Sequence, residues 1–366
     1  MIRRIALLGV GLIGGSLGLA WGRQRPGLYR VGYDRPEVVE KALARGAIDE
    51  GAERAEDAVR EADLVVLATP LATSLHLLEH VAPVLPEGCL VTDVGSVKVP
   101  IVRHAADVLG SPTRFVGGHP MAGAERGGID HADPFLFENA TYVLCPPPGE
   151  TAFEARYAPL VDLVRATGAR VLLLDAERHD RIAATVSHLP QLLAVALVAQ
   201  AADQQATNPE VLALAAGGFR DMTRIASSPF DIWRDILPAN QGPILDALAR
   251  FATLLQRLRN RLIEEDLDDL ARLFARAREV RNQIPRDMKG FLHPLVDVFV
   301  YAEDRPGALL EITRTLYEAG LSIKDIELLK LREGTGGTFR LGFSSPDEAD
   351  QAVAALASGR YRAYRL

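Results

Sequence analysis

Short apolar, β-branched runs alternate with amphipathic stretches of helical period from Arg3 to about Phe115. The runs predict strands over 4–9, 29–34, 63–69, 89–93 and 115–117, and helices over 13–24, 36–45, 71–85 and 97–109 lie between them. Two further strands, 141–145 and 170–174, flank a helix over 151–167. Such βαβ alternation predicts a doubly wound parallel sheet of Rossmann type over 1–175.

After Asp175 the period changes, because β-branched runs thin out while Ala, Leu and Arg recur at helical spacing as far as Arg281. A helical domain over 176–284 is predicted. Its longest stretches, 179–203 and 239–283, carry more apolar surface than one helical layer hides, which predicts a homodimer formed through this domain. Residues 285–294 contain Pro285, Gly290 and Pro294 among mixed charges and read as a linker. The remainder, 295–366, reads as a βαββαβ unit of ferredoxin-like α+β type. Its strands are expected over 295–302, 322–331, 338–343 and 361–366, and its helices over 306–319 and 346–357.

Composition narrows the partners. A formal net charge of -7 argues against nonspecific nucleic-acid binding, which needs surplus Lys and Arg. No uninterrupted apolar run of about 18 residues predicts a membrane span, and the N-terminal residues open a strand rather than a leader, so a cytoplasmic protein is expected. Cys89 and Cys145 each sit in an apolar run, which favours buried thiols over a disulfide or a metal site.

The chemistry begins at Gly9-Val-Gly11-Leu12-Ile13-Gly14, between a predicted strand and a predicted helix. There the first glycine permits the turn, the second lets a pyrophosphate approach, and the third lets helix and strand pack. The helix opened by Leu12 and Ile13 offers unpaired N–H groups to phosphate. Asp34, 20 residues beyond Gly14, can accept from both ribose hydroxyls and favours NAD; Arg35 beside it could pair a 2'-phosphate and keeps NADP open.

Two more blocks end strands at the sheet's carboxyl edge, where open α/β sheets bind ligands. They are Asp93-Val-Gly-Ser96-Val-Lys98 and Gly117-Gly-His119-Pro. His119, expected on a loop among glycines, suits acid-base work, and Ser96 is placed to hydrogen-bond its imidazole. In the helical part, His188 stands beside Pro190 in an otherwise apolar helix, and Arg220, Asp221 and Arg224 precede Trp233. Two arginines near one acid suit an anionic substrate, although ion pairs between helices would use the same residues.

Together, GVGLIGGSLGLA, TDVGSVK, GGHPMAG, FENATYVLCP, SHLPQLLA and GGFRDMTRIASSPFDIWRDI resemble the prephenate dehydrogenase family, and DRPGALLEITRTLYEAGLSIKDIEL resembles an ACT domain. The resemblance implies oxidative decarboxylation of prephenate to 4-hydroxyphenylpyruvate with NAD+ as hydride acceptor, in tyrosine synthesis. It also implies the roles. His119 would draw off the hydroxyl proton with Ser96 orienting its ring, Arg224 would hold a carboxylate, His188 would help place the substrate, and Trp233 would line the pocket or reach a neighbouring subunit. The ACT-like unit implies tyrosine as effector, expected at Asp304-Arg305-Pro306-Gly307, where a strand meets a helix N-terminus. Arogenate, which differs from prephenate in its side chain, remains the alternative substrate. A noncatalytic NAD or amino-acid sensor would need no combination of His119, Ser96 and Arg224, and a hydroxyacid dehydrogenase would call for a lysine that 179–228 lacks.

Overall fold

A computed structural model describes residues 2–123, 127–283, 295–332, 336–359 and 361–365. The expected linker, 285–294, lies outside them. The chain divides into two units, Met1–Ala275 and Arg276–Leu366, each described here by itself.

The first unit opens with β1 (Arg4–Leu8), α1 (Leu12–Gln24), β2 (Tyr29–Tyr33), α2 (Pro36–Ala44), β3 (Glu50–Gly51) and α3 (Ala55–Val59). It continues through β4 (Leu64–Leu67), α4 (Leu71–Val81), β5 (Leu90–Asp93), α5 (Val99–Leu109) and β6 (Phe115–Pro120). Next come β7 (Thr141–Cys145), α6 (Phe153–Arg156), α7 (Ala158–Ala166) and β8 (Arg170–Leu173). The eight strands form one sheet in the order β3-β2-β1-β4-β5-β6-β7-β8. The order reverses between β1 and β4, so the crevice at their carboxyl ends is the ligand-binding switch point.

Strand β4 is buried throughout and β1 from Ile5 onward, as expected of parallel strands covered on both faces. Ile5, Leu7 and Val66 pack with Leu17 and Trp21 of α1 on one face, while Ala6, Leu8 and Val65 pack with Leu78 and Ile101 on the other. Three features depart from expectation. The two-residue β3 and the short α3 are too brief to leave a periodic trace. The pairing of β6 with β7 is antiparallel, while the last, β7 with β8, is parallel. And β6 runs on to Pro120, so His119 is a strand residue opposite Val143 rather than a loop residue.

Beyond the sheet come α8 (Ala176–Ala183), a π-helical turn (Ala184–His188), α9 (Leu189–Gln205), α10 (Gly217–Thr223), α11 (Phe230–Ala239), α12 (Gln241–Ile263) and α13 (Leu267–Gln283). The expected helix over 239–283 is broken between α12 and α13, where Glu265 adopts a left-handed φ of 54°. Residues 176–205 form one helical run long and apolar enough, by length and composition, to cross a membrane. A third of its most apolar window is buried inside the chain. The same run also carries buried His179, Asp180 and His188.

In the second unit, β9 (Val296–Ala302), β10 (Asp325–Arg332), β11 (Gly336–Phe343) and β12 (Ala363–Arg365) form an antiparallel sheet in the order β10-β11-β9-β12. Helices α14 (Ala308–Glu318) and α15 (Pro346–Ser358) cover it, with Ile312, Leu316 and Leu356 meeting Val298 and Val300. Helix α14 starts two residues later than expected, because Gly307, at φ 87°, makes the turn that precedes it.

Candidate active site

The glycine turn is built as the spacing requires. A side chain on Gly14 would put its Cβ 2.0 Å from the Gly9 carbonyl, whereas above Gly11 nothing lies within 4 Å. Gly11 precedes α1 without a side-chain cap, so no side chain there occupies the first N–H groups of the helix, at Leu12 and Ile13. Asp34 follows β2 and accepts from Val10 N at 2.9 Å and Arg35 N at 2.8 Å, which fixes the carboxylate beside the turn and leaves lone pairs over. A cleft of about 980 Å³ lined by Asp34, Arg35, Val39, Leu43 and Leu77 opens next to it, wide enough for an adenosine. These residues fit a dinucleotide. Exposed Arg35 is 3.9 Å from Asp34 and 3.5 Å from Glu37, so a 2'-phosphate would compete with two acids for its guanidinium.

His119 is reached through β5. Asp93, at the end of that strand, accepts from Gly95 N at 2.8 Å and Gly118 N at 3.0 Å. It also pairs with Lys98, whose ammonium is fully buried and donates to the Gly118 carbonyl at 2.6 Å. A Cβ on Gly118 would lie 2.3 Å from the Asp93 carbonyl, so only glycine lets β6 come this close before His119. His119 itself is 8 % exposed. Burial, then the neighbouring Lys98, His179 and His188, holds its imidazole well below the usual histidine range. A neutral ring is thereby available as a base.

The expected hydrogen bond from Ser96 to that ring is replaced by another. Nδ1 of His119 lies 2.8 Å from Nε2 of His179, because the first turn of α8 enters beside β6 while Ser96 stays half-buried on the loop before Lys98. Nδ1 of His179 is 2.8 Å from Oδ1 of Asp180. Asp180 also accepts from Lys98 N and Val99 N, both at 2.8 Å, which fastens the helical part to the N-terminus of α5.

His188 lies nine positions beyond His179, which sets them roughly 180° apart on an uninterrupted α-helix. The π-turn holds one extra residue, closed by Leu189 N donating to the Ala184 carbonyl, and removes about 100° of that angle. Pro190 favours this break, since it has no N–H for the carbonyl one turn earlier. Asn240 completes the join. Its amide donates to the Asp180 carbonyl at 2.8 Å and to Nδ1 of His188 at 3.1 Å. His188 must then carry its proton on Nε2, a buried donor without a partner among the described residues, and burial pushes its pKa down to about 4. The Trp233 indole stands edge-on to this ring at 5.9 Å and 86°.

The structure therefore brings His119, His188 and Trp233 together through His179, Asp180 and Asn240. Arg224 is exposed on the short turn that follows α10, and Arg220 is exposed one helical turn earlier. His179, Asp180 and Asn240 escaped the sequence reading, and Lys98 was named there only as the end of its block. The adjacent pair His179-Asp180, polar residues at the head of an apolar helix, was the available signal. The two thiols are buried, with pKa values pushed up to about 11 for Cys89 and about 12 for Cys145, and take no part. In the second unit, Arg305 pairs with Glu311 through two contacts at 3.0 and 2.6 Å, and Glu311 also accepts from the Tyr361 hydroxyl at 2.9 Å. These partners hold Glu311 down at about 2.

A glycine turn for a dinucleotide and a buried neutral base on one sheet edge, with a helical layer fastened over it, define an NAD(P)-linked dehydrogenase. The family models agree. The prephenate dehydrogenase nucleotide-binding domain matches residues 17–173, the prephenate dehydrogenase dimerization domain 175–276, and the ACT domain 296–355. Prephenate dehydrogenase of Bacillus subtilis is 38% identical over 358 residues, 96% of each chain. The chain belongs to the prephenate dehydrogenase family. Among solved structures, prephenate dehydrogenase from A. aeolicus, in complex with hydroxyphenyl propionate and NAD+, superposes with a TM-score of 0.70 at 32% identity, covering 78% of this chain and 99% of that one. Synechocystis arogenate dehydrogenase gives 0.68 at 31%, covering 77% and 100%.

Proposed function

We propose that this chain catalyses the NAD-linked oxidative decarboxylation of prephenate to 4-hydroxyphenylpyruvate, with His119 as the base. The observation that carries this reading is the buried, neutral His119 at the carboxyl end of β6, on the edge that also holds the glycine turn. In the reaction the ring hydroxyl gives its proton to His119 as the carbonyl forms, and hydride leaves the same ring carbon. The bond to the ring carboxylate breaks, carbon dioxide departs, and its electron pair makes the ring aromatic. Bound NAD+ supplies the hydride acceptor.

Each protein group has a place in that step. His119 needs no unusual basicity, since the neutral form is already favoured and aromatisation drives the reaction. His188 presents its unpartnered Nε2–H to an oxygen of the substrate, beside a wall formed by Trp233. Arg224 binds a substrate carboxylate by its guanidinium fork. Ser96 keeps only the role of a hydroxyl at the carboxyl edge of the sheet. Asp34, with Arg35 drawn toward Glu37, favours NAD+ over NADP+. Positioning the ring carbon against the cofactor is the main contribution of the site.

The homodimer, a cytoplasmic setting and tyrosine feedback belong to the same reading. Leu214, Phe230 and Leu262 in the helical part are 81 %, 62 % and 65 % exposed, an apolar surface that a second copy would cover. Tyrosine would bind at Asp304, Arg305, Pro306 and Gly307, ahead of α14. Asp304→Ala and Gly307→Val should each weaken inhibition by added tyrosine, and unchanged inhibition moves the effector site elsewhere.

The direct test offers the purified protein prephenate or arogenate, each with NAD+ or NADP+, and follows reduced cofactor by absorbance. Reduction of NAD+ with prephenate is expected. Turnover of arogenate alone would assign the other substrate, and turnover of neither would end the proposal.

A further inference from the structure

We infer that His179 and Asp180 are positioning residues that fix the tautomer of His119, so that its basic nitrogen is Nε2. The inference rests on the reading of His119 as the base, yet it follows from donor and acceptor logic alone. The Asp180 carboxylate accepts two backbone N–H groups, Lys98 N at Oδ1 and Val99 N at Oδ2, each at 2.8 Å. A carboxylate so engaged is an acceptor, and Nδ1 of His179, 2.8 Å from Oδ1, must be the donor. A neutral His179 then has a bare Nε2. That atom faces Nδ1 of His119 at 2.8 Å, so His119 donates there and carries its own lone pair on Nε2. The order is Asp180 carboxylate, His179, His119, with every proton in the chain pointing toward Asp180.

The arrangement has a consequence for proton uptake. When Nε2 of His119 receives a proton, the positive charge forms in a buried ring, where it would be costly without a counter-charge. The bond from Nδ1–H to His179 strengthens as that charge appears, and Asp180 balances it through the intervening ring. Burial of His179 and Asp180 at 2 % exposure keeps the chain out of competition with water. Asp180 is in turn held at the N-terminus of α5, so the chain has a rigid end.

The test reads the tautomer first and the rate second. Protein with ¹⁵N-labelled histidine, free of substrate, is examined by NMR, and the His119 signals are assigned by their loss in His119→Asn. Protonated Nδ1 and bare Nε2 on His119 are expected. Protonated Nε2 with bare Nδ1 would overturn the inference, because His179 would then be the donor. This outcome is independent of whether prephenate is turned over, so it is separable from failure of the proposed function. His179→Phe keeps an aromatic ring but cannot accept; it should lower kcat roughly 10–100-fold with KM little changed. His179→Gln, which can accept at Oε1 and donate at Nε2, should recover most of that loss. Equal losses in both variants would mark a structural role and overturn the inference. Should His179→Phe fail to fold, the wild-type spectrum still decides.

Discussion

The Asp180 carboxylate accepts the backbone N–H of Lys98 at 2.8 Å, and so joins the first turn of α8 to the start of α5 across 82 residues of chain. With Val99 N on its other oxygen, Asp180 satisfies two N–H groups at the start of α5, where the helix itself supplies no acceptor. Removing it strands them. Asp180→Ala should cost about 2 kcal/mol or more, since each buried unsatisfied donor costs roughly 1–3 kcal/mol. In a unit of this size that is a fall of roughly 5 °C or more in Tm, measurable by calorimetry. An unchanged Tm would show that the join is dispensable.

His119→Asn should reduce turnover on the order of a hundredfold or more while leaving NAD+ binding, read by fluorescence titration, little changed. The wild-type pH profile supplies a second check. Because burial disfavours the charged ring, kcat/KM should stay level as pH falls through 6.5 and decline only well below it. An acid limb centred near 6.5 would contradict the buried, neutral base.

For Arg224 the expectation is a binding defect. Arg224→Ala should raise KM for prephenate much more than it lowers kcat, because a carboxylate held equally in ground and transition states contributes uniform binding. Steady-state kinetics at saturating NAD+ separates the two. A collapse of kcat at constant KM would remove Arg224 from the substrate-holding role.

How much of this was readable in the chain follows from distance along it. The turn at Gly9, Gly11 and Gly14 and the βαβ alternation are local, and each was legible because strand, turn and helix lie within a few residues of one another. Apolar periodicity likewise marked where the sheet ended and the helices began. The environment of His119 was not legible. Its strand extends only because β7 pairs with it antiparallel, and its partner His179 is 60 residues away. Lys98 closed a block at the sheet edge without a role of its own; only the approach of Asp93 and Gly118 buries it. The turn between His179 and His188 needed the π-helical residue, which a regular period of 3.6 places on the wrong face. Ser96 was the nearer polar group in sequence, yet packing of α8 gave the imidazole to a histidine.

His188 provides a pH prediction in stability rather than rate. Its pKa is about 4 in the folded chain, with burial the main cause, against 6.5 for an unperturbed histidine. The unfolded chain therefore binds a proton that the folded one refuses, and acid favours unfolding through this group. The stabilising effect of keeping His188 neutral is fully present above about pH 6.5 and is lost as pH falls toward 4. The difference is on the order of 3 kcal/mol over that window. His188→Gln lacks this proton-binding term. Urea denaturation at steps from pH 7.5 to 4 should show the wild type losing stability more steeply than the variant between 6.5 and 4, with the two running parallel above 7. Parallel curves throughout would mean that His188 is solvated and titrates normally, and that its Nε2–H is not held in a dry pocket for a substrate oxygen.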